Sequence, residues 1–182
     1  MKKILIPIFF VSLLLLGGCG EKLNNTPTKQ VEMFFMNYQT LNQKVISDLD
    51  NVLKDDNTMT ESQKEKYKKI IKKHYKNLTY DIKDEVVNGD TAVVTVEIEV
   101  YDYSKVKASI DEYAKNHSDE FLDENNNYSQ EKFIDYRLAE LEKVNDKVKY
   151  TLDLNLTKVD DKWELNKISS LDEDKILGIY EY

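Results

Sequence analysis

Apolar residues recur at helical spacing at Val31, Phe34, Phe35, Tyr38, Leu41, Val45, Leu49, Val52 and Leu53, predicting one helix of many turns. Thr26-Pro27 marks its start, with the threonine as cap and the proline at the first helical position. Asp55-Asp56-Asn57 ends the pattern. Thr60 to Gln63 ("TESQ") then forms a capping box that opens a second helix. In that helix Tyr67, Ile70, Ile71 and Tyr75 share one face and His74 borders it. Lys64, Lys66, Lys68, Lys69, Lys72, Lys73 and Lys76 cover the rest.

From Leu78 the period changes from helical to two. Leu78, Tyr80, Ile82 and Val86 alternate with polar residues, and Asn88-Gly89-Asp90 is a strong turn signal. The returning strand places Ala92, Val94, Val96, Ile98 and Val100 on one face, with Thr95, Glu97, Glu99 and Tyr101 on the other. Ser104 reads as the cap of a helix carrying Val106, Ile110, Tyr113 and Phe121. Ser129 caps another, with Phe133, Ile134, Leu138, Leu141 and Val144. A second alternating pair follows: Val148, Tyr150, Leu152, Leu154 and Leu156, a turn at Asp160-Asp161, then Trp163 and Leu165. The tail predicts a short helix packing Ile176, Leu177 and Ile179. Together these predict an α+β domain, an antiparallel sheet of two hairpins with helices on one face.

The first residues obey a different logic. Lys2 and Lys3 precede Ile4 to Leu16, a mostly apolar run far short of the roughly 20 residues a spanning helix needs. Leu16-Gly17-Gly18-Cys19 follows at once. The small glycines suit a peptidase cleft, and Cys19 is the only thiol in the chain. These four residues resemble the lipobox of bacterial lipoproteins. The resemblance implies a diacylglycerol on the Cys19 sulfur and cleavage between Gly18 and Cys19. It divides the chain into a signal peptide (1–18), a lipidated start and linker (19–26) and a single domain (27–182). It also places the protein at the cell membrane, on the extracytoplasmic face of a Gram-positive-like bacterium. The seven residues from Gly20 to Thr26, at about 3.5 Å each, would hold the domain within roughly 25 Å of its anchor.

Charge narrows the partners. The chain carries −8, and residues 1–18 contain two lysines and no acid, so the remainder carries −10. Such acidity disfavours nucleic acid. Arg137 is the sole arginine among 26 basic residues, which argues against phosphate recognition as a central task. The 12 tyrosines suit core edges where the ring is dry and the hydroxyl wet. The polar sheet face would make a poor dimer interface, so a monomer is expected.

The element order, with the long strands "TAVVTVEIEVYDY" and "KVKYTLDLNLTKVDDKWELNKI", is similar to the cystatin-like and nuclear-transport-factor-2-like cone folds. That order also occurs in many small lipoproteins of Gram-positive bacteria. The insert from Ser104 to Asn145 is longer than cone-fold proteins usually carry, and is expected to reshape or plug any pocket mouth.

Enzymes of the cone fold place a carboxylate or histidine in an apolar cavity. Asp84, Asp102 and His74 are the residues here that fit such a base. His74 and His117 both read as partly buried helix-edge residues without a ligand-spaced partner, so zinc is not expected. Asp123, Asn125 and Asn127 imitate part of a calcium loop. Tyr128 stands where glycine is needed and Ile134 where a bidentate glutamate should close the site, so a capped loop is the better assignment. No cofactor motif is present. The expected role is therefore a membrane-anchored, non-enzymatic domain binding a small ligand or an envelope protein through a pocket of apolar and tyrosine side chains, free of paired ionisable groups. The alternatives are an isomerase- or cyclase-type enzyme, and an immunity or envelope-interaction lipoprotein acting through the lysine-rich helix.

Overall fold

The computed structural model describes residues 25–181. The expected signal segment, Cys19 and nearly all of the linker lie outside the described residues.

Helix α1 (Pro27–Gln39) starts as the sequence predicts: the Thr26 hydroxyl accepts from the Lys29 amide at 3.1 Å, and Pro27 occupies the first turn. The single long helix expected to reach Leu53 is instead two. Leu41 adopts a left-handed φ of 53°, and Asn42 caps α2 (Gln43–Asp55) by accepting from the Lys44 amide at 2.9 Å. Two polar side chains promote the break, since the Thr40 hydroxyl bonds back to the Met36 carbonyl while Asn42 offers a new start. The redirected α2 buries Leu49 and Leu53 and leaves Val52 69% exposed. Helix α3 (Glu61–Asn77) opens on the complete capping box of Thr60 and Gln63.

Strands β1 (Thr79–Asn88), β2 (Thr91–Tyr101), β3 (Lys147–Val159) and β4 (Lys162–Leu165) form one antiparallel sheet in the order β1-β2-β3-β4. Between β2 and β3 lie α4 (Tyr103–Asn116), a 3-10 turn (Ser118–Phe121) and α5 (Gln130–Lys143). A last helix, α6 (Ser170–Ile176), follows β4. The architecture is thus α+β, with six helices beside a four-stranded sheet among the described residues.

The alternating residues of β2 and β3 meet in register on the buried face. Ala92, Val94, Val96, Ile98 and Val100 pair with Leu156, Leu154, Leu152, Tyr150 and Val148. Val31 and Phe35 of α1 and Ile176 of α6 close that layer, both α1 residues being wholly inaccessible. Fully burying side chains of this size stabilises by about 1.5–3 kcal/mol each, so this layer dominates the fold. The opposite face carries polar cross-strand pairs: Thr95 with Asp153, Glu97 with Lys149, and Glu99 with Lys147.

Strand β1 departs from its expected register. A bulge between Ile82 and Asp84 reverses the alternation, so Asp84 pairs with Thr95 on the polar face and Val86 is 58% exposed. The expected alternation of Val86 with Leu78, Tyr80 and Ile82 is thereby overturned, and Asp84 lies on the polar face, away from the apolar interior a cone-fold base would need.

Candidate functional site

The insert between β2 and β3 builds the site. Helices α4 and α5 pack on each other, and α5 packs on α3. One buried side chain ties α3 to α5. The Gln63 amide nitrogen donates to the Asp135 carboxylate at 2.8 Å and to the Glu131 carbonyl at 3.1 Å, while its oxygen accepts from the Thr60 amide. A cleft of about 260 Å³ lies between α3, α4, α5 and the segment following α6. Helical spacing explains its walls. Tyr67, Ile70 and Ile71 share one stripe of α3; Tyr103, Lys107, Ile110 and Asp111 share one of α4; Phe133, Arg137 and Leu141 share one of α5. Leu177 and Ile179 complete it from the C-terminal side. The insert does not plug a pocket on the sheet; it creates one among the helices.

Apolar and tyrosine side chains make most of the lining, as expected. The expectation of a pocket free of paired ionisable groups is overturned, because helical spacing sets Lys107 and Asp111 four residues apart on the α4 stripe that lines it. Lys107 and Asp111 pair at 3.7 Å on the rim, both more than half exposed, and Lys107 also reaches Glu181 at 3.2 Å. Arg137 is half-buried and has no hydrogen bond or ion pair among the described residues. Burial pushes the Tyr67 phenol above its ordinary range, and the charge of nearby Arg137 partly opposes that rise. Burial raises Tyr103 strongly, with Tyr101 and Tyr67 adding to it. Both phenols therefore remain protonated at neutral pH. Neither hydroxyl has a hydrogen-bond partner among the described residues.

The wall formed by Leu177 and Ile179 is held by backbone contacts. The Gly178 carbonyl accepts from the amides of Tyr103 and Ser104, at 2.9 and 3.0 Å. Beneath it, the His74 Nε2 lies 2.8 Å from the Ile176 carbonyl. A carbonyl only accepts, so Nε2 carries the proton and Nδ1 is a bare acceptor, without a partner. His74 is wholly inaccessible rather than at a helix edge. Burial lowers its pKa to about 4, against a smaller opposing effect of the Ile176 hydrogen bond. It fastens α3 to the tail and does not line the cleft.

The other sequence candidates lie elsewhere. Asp84 is exposed and accepts from the adjacent Glu85 amide. Asp102, and not Ser104, caps α4, accepting from the Lys105 amide and the Ser104 hydroxyl. The structure thus brings Asp84, Asp102 and His74 together nowhere, and none of them faces the cleft. His117 is exposed, stacked on Tyr113, and not partly buried. Asp123 accepts from the amides of Asn125 and Asn127, a closed loop of the kind the sequence favours, and Ser129 caps α5. Three of the seven lysines on α3 are already paired: Lys64 with Glu61, Lys66 with Glu142 and Lys68 with Asp50. The residues that sequence reasoning missed are Arg137, Tyr103 and, as a site residue, Tyr67. A lone arginine four residues from both Phe133 and Leu141 was the available signal.

The class defined by fold and site is an α+β domain with a small, mostly apolar cleft between helices. No helix among the described residues is long and apolar enough to cross a membrane. No protein-family profile matches the chain. No curated protein matches it either. A crystal structure of a Bacillus subtilis protein described as a "putative lipoprotein (ycdA)" is similar over 95% of this chain at 15% identity, with a TM-score of 0.44. The chain spans about half of that protein, 54% of its length. A likeness that loose supports neither a shared fold nor a shared role.

Proposed function

We propose that this chain is a lipid-anchored extracytoplasmic lipoprotein whose domain binds a small, largely apolar ligand without acting on it chemically. The anchor is read from Leu16-Gly17-Gly18-Cys19 behind its apolar run. The element order supports a relation to the cystatin-like and nuclear-transport-factor-2-like cones. One observation carries the binding role: the cleft is walled mostly by apolar and tyrosine side chains, its one close ionisable pair, Lys107 with Asp111, being a more than half-exposed ion pair on the rim. General acid–base catalysis works best with a group whose pKa lies near the operating pH. The two phenols at the cleft are pushed away from that range.

At about 260 Å³ the cleft is a little smaller than the roughly 300–1,000 Å³ typical of drug-sized ligands, so its occupant is small. Native mass spectrometry of the protein purified from its own host should show an added small mass that denaturation releases. A Leu141→Trp variant, whose ring would fill the space, should lose it. Retention of the same mass by both forms would contradict binding in this cleft.

A further inference from the structure

The binding reading above leaves the ligand's polar end undefined, and Arg137 addresses it. We propose that the cleft recognises short amphiphiles with a carboxylate head, the Arg137 guanidinium taking the carboxylate and the walls of α3, α4 and α5 taking the tail. The proposal rests on that binding reading.

Arg137 lies on the same stripe of α5 as Phe133 and Leu141, one turn from each, and lines the cleft with them. Its head is what needs an explanation. Nearby lysines of α3 find Glu61, Glu142 and Asp50, whereas Arg137, a half-buried residue on the cleft wall, has no acid partner among the described residues, on a chain with 34 acids. A carboxylate offers an unpaired guanidinium two parallel hydrogen bonds, and an apolar wall beside the pair strengthens them by limiting competing water. The planar fork of arginine suits that geometry better than a lysine would.

Three further observations agree. Of the two cations on the cleft, Lys107 is already engaged by Asp111 and by Glu181, which leaves Arg137 as the one without a counterion among the described residues. The single acid, Asp111, already faces Lys107 at 3.7 Å. The unpartnered hydroxyls of Tyr67 and Tyr103 supply further donors, and Tyr67 lies near enough to Arg137 to feel its charge.

Isothermal titration of residues 19–182 expressed with the signal segment removed would use octanoate and octan-1-ol, which share a tail and differ in the head. Octanoate should bind at least tenfold more tightly. Arg137→Gln should bring octanoate affinity down to about that of octanol in the same variant, and Arg137→Lys should retain part of the preference. Equal affinities for the two probes would overturn carboxylate recognition and leave the apolar cleft standing. Failure of both to bind would overturn the cleft as a ligand site and this inference with it. The two-probe comparison on the unaltered protein decides the matter even if a variant fails to fold.

Discussion

Replacing Gly178 with alanine should destabilise the domain by about 3 kcal/mol or more, the sum of left-handed strain (roughly 1–2 kcal/mol) and an overpacking cost of similar size. Gly178 has a φ of +68°, and an added Cβ would stand 2.0 Å from the Tyr101 carbonyl oxygen. That oxygen belongs to the end of β2 and cannot swing aside like the tip of a side chain. The tail would have to lift, breaking the bonds from Tyr103 and Ser104 to the Gly178 carbonyl. For a chain of this size the melting temperature should fall by roughly 6–12 °C. Gly89→Ala is the matched control, because Gly89 has a φ of +60° with nothing within 4 Å. It should cost only the backbone strain, roughly 1–2 kcal/mol. Thermal melts of the two variants separate the clash from the strain; equal losses would show that the tail does not pack on Tyr101 as described. Gly178→Ala should also weaken ligand binding, since Leu177 and Ile179 wall the cleft.

Acid should weaken the fold well before its carboxylates protonate. His74 is neutral in the folded state with a pKa of about 4, below the ordinary 6.5 it regains on unfolding. The unfolded chain therefore binds the extra proton first, and stability is complete above pH 6.5 and falls as the pH drops towards 4. The structural cause is specific: a proton on Nδ1 finds no acceptor, and the rings of Tyr75, Tyr101 and Tyr103 surround the imidazole. At about 1.4 kcal/mol per pH unit, about 2 kcal/mol should be gone by pH 5 and about 3 kcal/mol by pH 4. Asp56, Glu97 and Asp123 have depressed pKa values from hydrogen bonds and ion pairs, so they contribute only at lower pH. Urea denaturation at pH 7 and pH 5 measures the effect. In His74→Gln, whose amide can still donate to the Ile176 carbonyl, the slope across that window should flatten even if the variant is less stable overall. An unchanged slope would assign the acid sensitivity to other groups.

Much of the architecture was legible because it follows from periodicity. Alternation placed the inward residues of β2 and β3 on the buried face, and side-chain caps marked the helix starts at Thr26, Thr60 and Ser129. Local irregularities were not legible. Leu41 leaves the helical conformation although a leucine ordinarily avoids left-handed φ, so the apolar stripe ran on through the break. The bulge beside Lys83 adds one residue to β1, and a period of two has no way to announce it. The site was hidden for another reason. Its walls come from three helices far apart in sequence, and apolar periodicity alone does not say which stripes face a void and which face a core. His74 shows the same limit, since its complete burial depends on the tail folding back from more than a hundred positions away.

The anchor is the claim on which the cellular role depends, and Cys19→Ser tests it most directly. In the native host, grown with labelled palmitate, the unaltered protein should take up label and sediment with membranes. The serine variant should do neither and should remain uncleaved after Gly18. A serine variant that stays membrane-bound and labelled as before would contradict the account of this protein as a domain moored by acyl chains on one sulfur.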